Sequence, residues 1–196
     1  MRSLGAVLLA AGASSRFDRG NKLLADIEGR PMVRVVAETL LGAGCIEEVL
    51  VVTGHEAEAV ARALDGLPVR FVFNGDWREG MGGSIARGVA SLPATLDGAV
   101  IVPGDMPFLT AGLIETLAAR FQERDGGCIV FPANAAGEQR NPVIWPRSRF
   151  ALLEGLSGPE GGKRLLRELT HACSAVLVED DTALRDVDVP DDIARR

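Results

Sequence analysis

Short apolar, β-branched runs recur along the chain with helix-spaced segments between them, and this alternation restricts the possible fold more than any other feature. Leu4–Ala10 is an uninterrupted apolar run closed by Gly12, the pattern of a strand buried on both faces of a parallel sheet. Comparable runs at 47–53, 69–73, 98–102 and 128–133 are punctuated by Gly, Pro or Asn and predict four more strands. Helical spacing appears at 32–41 after the turn Gly29-Arg30-Pro31, at 57–64, at 84–92, and at 111–121 behind the capping residue Thr110. Such alternation builds right-handed βαβ units. The predicted fold is α/β: a Rossmann-like, open, mostly parallel sheet with helices on both faces. Beyond residue 133 the regularity breaks. A polar stretch at 134–141, an apolar run at 142–145, two short helical stretches and a strand at 174–179 predict a small hairpin flap. A length of 196 residues, with no Pro/Ser/Gly-rich linker and no internal repeat, predicts a single domain over 1–196.

Composition then removes several classes of function. A net charge of -6 lacks the clustered Lys and Arg that grip a nucleic-acid backbone, so no nucleic-acid partner is expected. A small phosphorylated ligand remains compatible, since a few backbone amides and one or two cations hold it whatever the overall charge. Cys45, Cys128 and Cys173 form no C-x-x-C pair and are odd in number, which fits a reducing cytoplasm. Two histidines, His55 and His171, exclude a multi-histidine metal centre. Arg2 ahead of an apolar run, followed by Ala11-Gly12-Ala13, has the outline of a signal peptide. The run is short for that purpose, however, and cleavage would delete the first core strand. No stretch approaches the ~18 apolar residues of a membrane span.

In an open α/β sheet the ligand lies beyond the carboxyl ends of the strands, at the switch in strand order. The residues there are 11–16, Gly54-His55, Asn74-Gly75-Asp76 and Pro103-Gly104-Asp105. Residues 10–16 (Ala-Ala-Gly-Ala-Ser-Ser-Arg) form a small-residue loop whose backbone N–H groups an anion can approach, with Arg16 and Lys22 as positive charge; a plain tight turn explains the same small residues. Two familiar nucleotide motifs fail on spacing. A dinucleotide fingerprint requires Gly where Ser14 and Phe17 stand, and the only Walker-like stretch, 158–164, lacks the glycine spacing and the hydroxyl.

Leu9-Ala10-Ala11-Gly12-x-Ser14-x-Arg16 with Lys22 resembles the L-x-x-G-x-[SG]-x-R…K signature of the MobA-like NTP transferases. The resemblance continues through Pro103-Gly104-Asp105-Met106-Pro107 and Asp186-Val187-Asp188-Val189-Pro190-Asp191-Asp192, three motifs in order over nearly the whole chain. Leu-Ala-Ala-Gly, together with Asn74-x-Asp76-Trp77-x-x-Gly80-Met81-Gly82-x-Ser84, is similar to the molybdenum cofactor cytidylyltransferase branch. The resemblance implies transfer of CMP from CTP to a phosphorylated acceptor such as molybdenum-bound molybdopterin, with a recipient molybdoenzyme as a further partner. It implies nucleotide contacts at Leu9, Ala10, Ala11, Gly12, Ser14, Ser15, Asn74, Gly80, Met81 and Ser84, catalytic roles for Arg16, Lys22 and Asp105, and acceptor contacts at Arg140 and Asn141. Arg140-Asn141-Pro142-Val143 departs from that branch's R-G-H-P-V, and residues 158–163 (Gly-Pro-Glu-Gly-Gly-Lys) depart from its G-D-x-G-[GA]-R. Both departures fall on the acceptor side and leave the acceptor open.

The chemistry is consistent with these residues. Mg²⁺ takes one or two carboxylates along with phosphate oxygens and water. Asp105, after a buried strand, is placed to be one ligand or to cap a turn; Asp188 is a second candidate or part of a solvated acidic terminus. Trp77 and Met81 read equally as core packing ahead of a helix. In-line displacement at the α-phosphate needs charge neutralisation more than proton transfer, so the scarcity of histidine is no obstacle. A sister transferase acting on a sugar, polyol or lactate phosphate, and a non-catalytic nucleotide or pterin carrier, are the alternatives.

Overall fold

The computed structural model describes residues 2–14, 17 and 20–192. Ser15 and Arg16 lie outside the described residues. The strands are β1 (Leu4–Ala10), β2 (Asp26–Ile27), β3 (Arg30–Pro31), β4 (Ile46–Thr53), β5 (Arg70–Phe73), β6 (Gly98–Pro103), β7 (Ile129–Ala133), β8 (Val143–Pro146) and β9 (Cys173–Leu177). The α-helices are α1 (Met32–Gly42), α2 (Ala57–Ala63), α3 (Met81–Ala90), α4 (Ala111–Glu123), α5 (Phe150–Glu154) and α6 (Lys163–Glu168).

Seven strands form one sheet in the order β5-β4-β1-β6-β8-β7-β9, with β8 antiparallel to both its neighbours and the remaining pairs parallel. The hairpin expected after residue 133 is β7–β8. It is built into the sheet, because β8 pairs with β6 as well as with β7. Strands β4 and β5 are laid outward from one edge of β1, and the chain then crosses to β6 on the other edge. The switch in strand order therefore lies between β1 and β6, which opens a crevice beyond their carboxyl ends.

Alternation along β1 fills both faces. Leu4, Ala6, Leu8 and Ala10 join the core beneath α1 and α4, while Val7 and Leu9 join the core beneath α3, α5 and α6. Helix α4 turns Leu113, Ile114, Leu117, Ala118 and Phe121 inward, and Thr110 caps it by accepting from the Leu113 N–H. Each of its large side chains stabilises by about 1.5–3 kcal/mol when fully buried. β2 and β3 make a small separate hairpin over a two-residue turn, Glu28 and Gly29, both at positive φ. Glu is not the residue that advertises such a turn, and the sequence pattern shows only the bend that follows.

The start of β1 is held by Asp97, just ahead of β6. Its carboxylate accepts from the Ser3 N–H at 2.9 Å and lies 3.4 Å from Arg2 Nη1. The Ser3 hydrogen bond, followed by the Arg2 charge, holds the Asp97 carboxyl below the usual carboxylate range. With a depressed folded-state pKa, its contribution to stability is complete above the unfolded-state value and is lost as pH falls through the folded-state one. The side chain is 37% exposed, so solvent screens most of the charge. Asp97→Asn is expected to lower the melting temperature by only about 2 °C at pH 7. Melting curves of the two proteins should converge as pH falls below the folded-state value.

Candidate active site

The segments at the carboxyl ends of β1, β4, β5 and β6 are stapled together by backbone hydrogen bonds. Gly104 N–H donates to Leu9 O at 2.9 Å, His55 N–H to Ala11 O at 3.1 Å, and Asn74 N–H to Thr53 O at 2.7 Å. Gly104 is required by proximity, since a Cβ there would stand 2.9 Å from Leu9 O. The crevice above these loops is a cavity of about 700 Å³, within the range of small-molecule sites.

On its floor, Lys22 Nζ lies 2.6 Å from Asp105 Oδ2 and 3.1 Å from Asp188 Oδ1. Burial by itself lowers the pKa of this ammonium; the charges and hydrogen bonds of Asp105 and Asp188 outweigh it and hold the pKa above the ordinary lysine value. Asp186 completes the group, with one carboxylate oxygen each from Asp105, Asp186 and Asp188 lying within 4.8 Å of one another. The local sequence explains the placement. Asp105 follows β6 after the single residue Gly104. Val187 is fully buried and donates its N–H to Asp105 O, so the extended Asp186-Val187-Asp188 segment turns both flanking carboxylates toward the cavity. Asp192 accepts from the N–H groups of Asp188 and Val189 and fixes the turn that follows.

Asn21 anchors Lys22. It is 7% exposed, its Oδ1 accepts from the Leu23 N–H, and Ser14 Oγ, 3.4 Å from that oxygen, accepts from the Lys22 N–H. The lysine backbone is thereby tied to the loop after β1. The carboxylates fit a hard divalent cation, which binds oxygen donors. Asp105 Oδ1 is buried without a hydrogen-bond partner among the described residues, leaving an acceptor lone pair for such an ion.

Leu9, Ala11, Gly12, Ser14, Gly80, Met81 and Ser84 all face this cavity, as do Lys22, Asp105, Asp188 and Asn141. Ala10 and Asn74 are fully buried and do not line the cavity. Asn74 instead braces the wall, donating to Ser84 Oγ at 3.0 Å and accepting from the Asp76 N–H. Arg140 pairs with Glu138, and its sequence neighbours Gln139 and Asn141 supply the lining there. Trp77 and Met81 serve both readings. Trp77 packs on the core and against His55 with ring centroids 5.0 Å apart, Met81 is 46% exposed, and both line the cavity. Asn21 is not marked by the sequence, while Asp186, Glu160 and Lys163 stand in the motifs at 186–192 and 158–163 with no role of their own assigned there.

The wall near α3 is a strap, residues 157–162, laid backbone to backbone on Gly80 and Gly82. Gly82 N–H donates to Gly158 O at 2.9 Å, and a Cβ on Gly82 would stand 2.6 Å from the Ser157 carbonyl. This contact explains why α3 begins at Met81, three residues earlier than its glycine-rich sequence predicts. Gly82→Ala must displace the strap. The expected cost is about 1–3 kcal/mol, checked by thermal melts.

The fold is shared with α/β nucleotidyltransferases. The chain belongs to the MobA-like NTP transferase domain family, whose model matches residues 6–173. It is 31% identical to nicotine blue oxidoreductase from Paenarthrobacter nicotinovorans over 96% of this chain and 94% of that protein. It is 34% identical to bifunctional protein GlmU from Leifsonia xyli subsp. xyli over 71% of this chain, but spans only 30% of that longer protein. A nucleotidyl transferase from Methanothermobacter thermautotroptrophicus superimposes with a TM-score of 0.84 at 25% identity, covering 100% of this chain and 96% of that one. Two more distant structures share the fold. The manganese complex of Rv0371c from Mycobacterium tuberculosis H37Rv has a TM-score of 0.80 at 22% identity, covering 98% and 97%. The CTP complex of CMP:2-keto-3-deoxy-manno-octonic acid synthetase has a TM-score of 0.77 at 16% identity, covering 98% and 96%.

Proposed function

We propose that this chain transfers CMP from CTP to a small phosphorylated acceptor, molybdenum-bound molybdopterin being the preferred candidate, with Mg²⁺ as the ion and pyrophosphate as the leaving group. The observation that carries the reading is Lys22 among Asp105, Asp186 and Asp188 on the floor of the cavity, beside the small-residue loop after β1.

Asp105 and Asp188, with Asp186 beside them, would hold the ion. When bound, it would neutralise charge on the reacting phosphates, and the manganese complex of Rv0371c supports a divalent cation in this fold. The chain's own residues supply the rest. The loop at Gly12 and Ser14 presents little side-chain bulk to the phosphates, and Lys22, with Arg16 in the same role, offsets charge on the departing pyrophosphate. An acceptor phosphate is already ionised at neutral pH and attacks without a general base. Met81 and Ser84 form the wall that orients the base. Gln139, Asn141, Glu160 and Lys163 line the cavity on the acceptor side, with Arg140 in the same loop. A recipient molybdoenzyme would take the product.

CTP is expected to exceed GTP and ATP in kcat/KM by roughly tenfold or more. The test incubates the protein with each NTP, Mg²⁺ and phosphorylated acceptors, including molybdopterin loaded with molybdate, and follows pyrophosphate. A preference for GTP would move the chain to a sister specificity.

The relative named as a nicotine blue oxidoreductase matches along nearly its whole length and motivates a redox reading. The same preparation assayed with nicotine blue and an electron donor separates the two. Redox turnover of nicotine blue, without pyrophosphate release, would favour that alternative.

A further inference from the structure

The chain has 21 basic Lys and Arg side chains, of which only Lys22 and Lys163 are lysines, and both line the cavity. Arginine presents a fixed fork, whereas lysine is a compact point charge on a flexible stem that can change partners. Lys22 already has partners. Its ammonium lies 2.6 Å from Asp105 Oδ2 and 3.1 Å from Asp188 Oδ1, two members of the carboxylate group whose oxygens converge within 4.8 Å. A divalent ion draws carboxylate oxygens to about 2.0–2.6 Å. The ammonium and the ion therefore compete for the same carboxylates, sterically and in charge.

We propose that Lys22 is the resident counter-ion of this cluster, that an arriving divalent cation displaces it, and that the freed ammonium then turns to the nucleotide phosphates. The inference rests on the reading that the cluster binds a divalent ion. The fold provides for such an exchange. The Lys22 N–H is held by Ser14 Oγ at 3.2 Å, and the turn it begins is capped by Asn21, so the backbone stays fixed to the phosphate loop while the side chain swings. Before exchange, the charge intended for phosphate is neutralised by Asp105 and Asp188. After it, the cation site is filled and the loop has gained a positive charge. Metal and nucleotide thus tighten one another's binding by the same factor, as linkage requires.

Having only two lysines makes the exchange directly observable. Protein labelled with ¹³C and ¹⁵N at the lysine side chain gives two sets of signals, assigned with Lys163→Arg. Titration with Mg²⁺ in the absence of nucleotide is expected to shift the Lys22 signals and sharpen them as the side chain gains motion, leaving those of Lys163 in place. In parallel, Mn²⁺ binding followed by electron paramagnetic resonance should be about tenfold or more tighter in Lys22→Met than in wild type. If Mn²⁺ binds in an Asp105-dependent manner but the Lys22 signals of the wild-type protein do not move, the exchange is overturned while the metal reading stands. Tighter binding by Lys22→Met would not rescue it, because relief of charge repulsion alone produces the same gain. If no Asp105-dependent Mn²⁺ binding is found in either protein, with or without CTP, the metal reading falls and the exchange falls with it.

Discussion

Asp105→Asn is expected to reduce turnover about 10³-fold, roughly 4 kcal/mol of transition-state stabilisation, while the protein remains folded. Asn keeps the size and an acceptor oxygen but loses the charge needed to hold a cation, and a hard divalent ion has few protein ligands with which to compensate. The competing role, a turn cap, predicts the opposite, since Asn and Asp cap almost equally well. The geometry favours the first. The only hydrogen bond to the Asp105 carboxylate among the described residues comes from Lys22 Nζ, and its other oxygen is buried without a partner. Some stability should be lost with the Lys22 pair, which is only partly buried, and a fall of about 2–4 °C in melting temperature is expected. Activity within about threefold of wild type would remove the metal role. Asp188→Asn, run alongside, shows whether the second carboxylate shares the ion.

Lys22→Ala is expected to lower kcat by roughly 10²-fold, as loss of a preorganised charge at a departing group typically does. Alanine leaves Asp105 and Asp188 without the positive charge that pairs them, so metal affinity should rise even as turnover falls. This combination separates a phosphate-facing lysine from a merely structural one. A lysine that served only to pair two aspartates would show its loss as a lower melting temperature, with kcat restored at saturating Mg²⁺. Lys22→Arg should recover little, because a planar fork does not replace a compact ammonium between two carboxylates.

The central strands are the most legible part of the chain. Leu4–Ala10 matches β1 residue for residue, because a strand buried on both faces must be apolar throughout and the small-residue loop after it ends the run at a strand's length. It lies between β4 and β6, in the middle of the sheet. The ends of β6 and β1 are legible as loops bearing Asp105 and Gly12, and strand-order logic brings them together. Features set by tertiary contact are not legible. The start of α3 depends on the strap at 157–162, and Asn74 holds the wall from behind because its amide reaches Ser84, ten residues away. The acidic stretch 186–192 divides its roles by geometry that composition does not reveal. Asp186 and Asp188 face the cavity, and Asp192 fastens the backbone of Asp188 and Val189.

The most direct test of the account follows the phosphorus. CTP labelled at the α-phosphate, and separately at the γ-phosphate, is incubated with Mg²⁺ and the phosphorylated acceptor, and the products are separated. The α-label should appear in the acceptor product and the γ-label in pyrophosphate, in equal amounts, with both lost in Asp105→Asn. Saturating NTP, Mg²⁺ and acceptor that leave the α-label in unreacted NTP, or that release γ-label as inorganic phosphate instead of pyrophosphate, would contradict nucleotidyl transfer at this site.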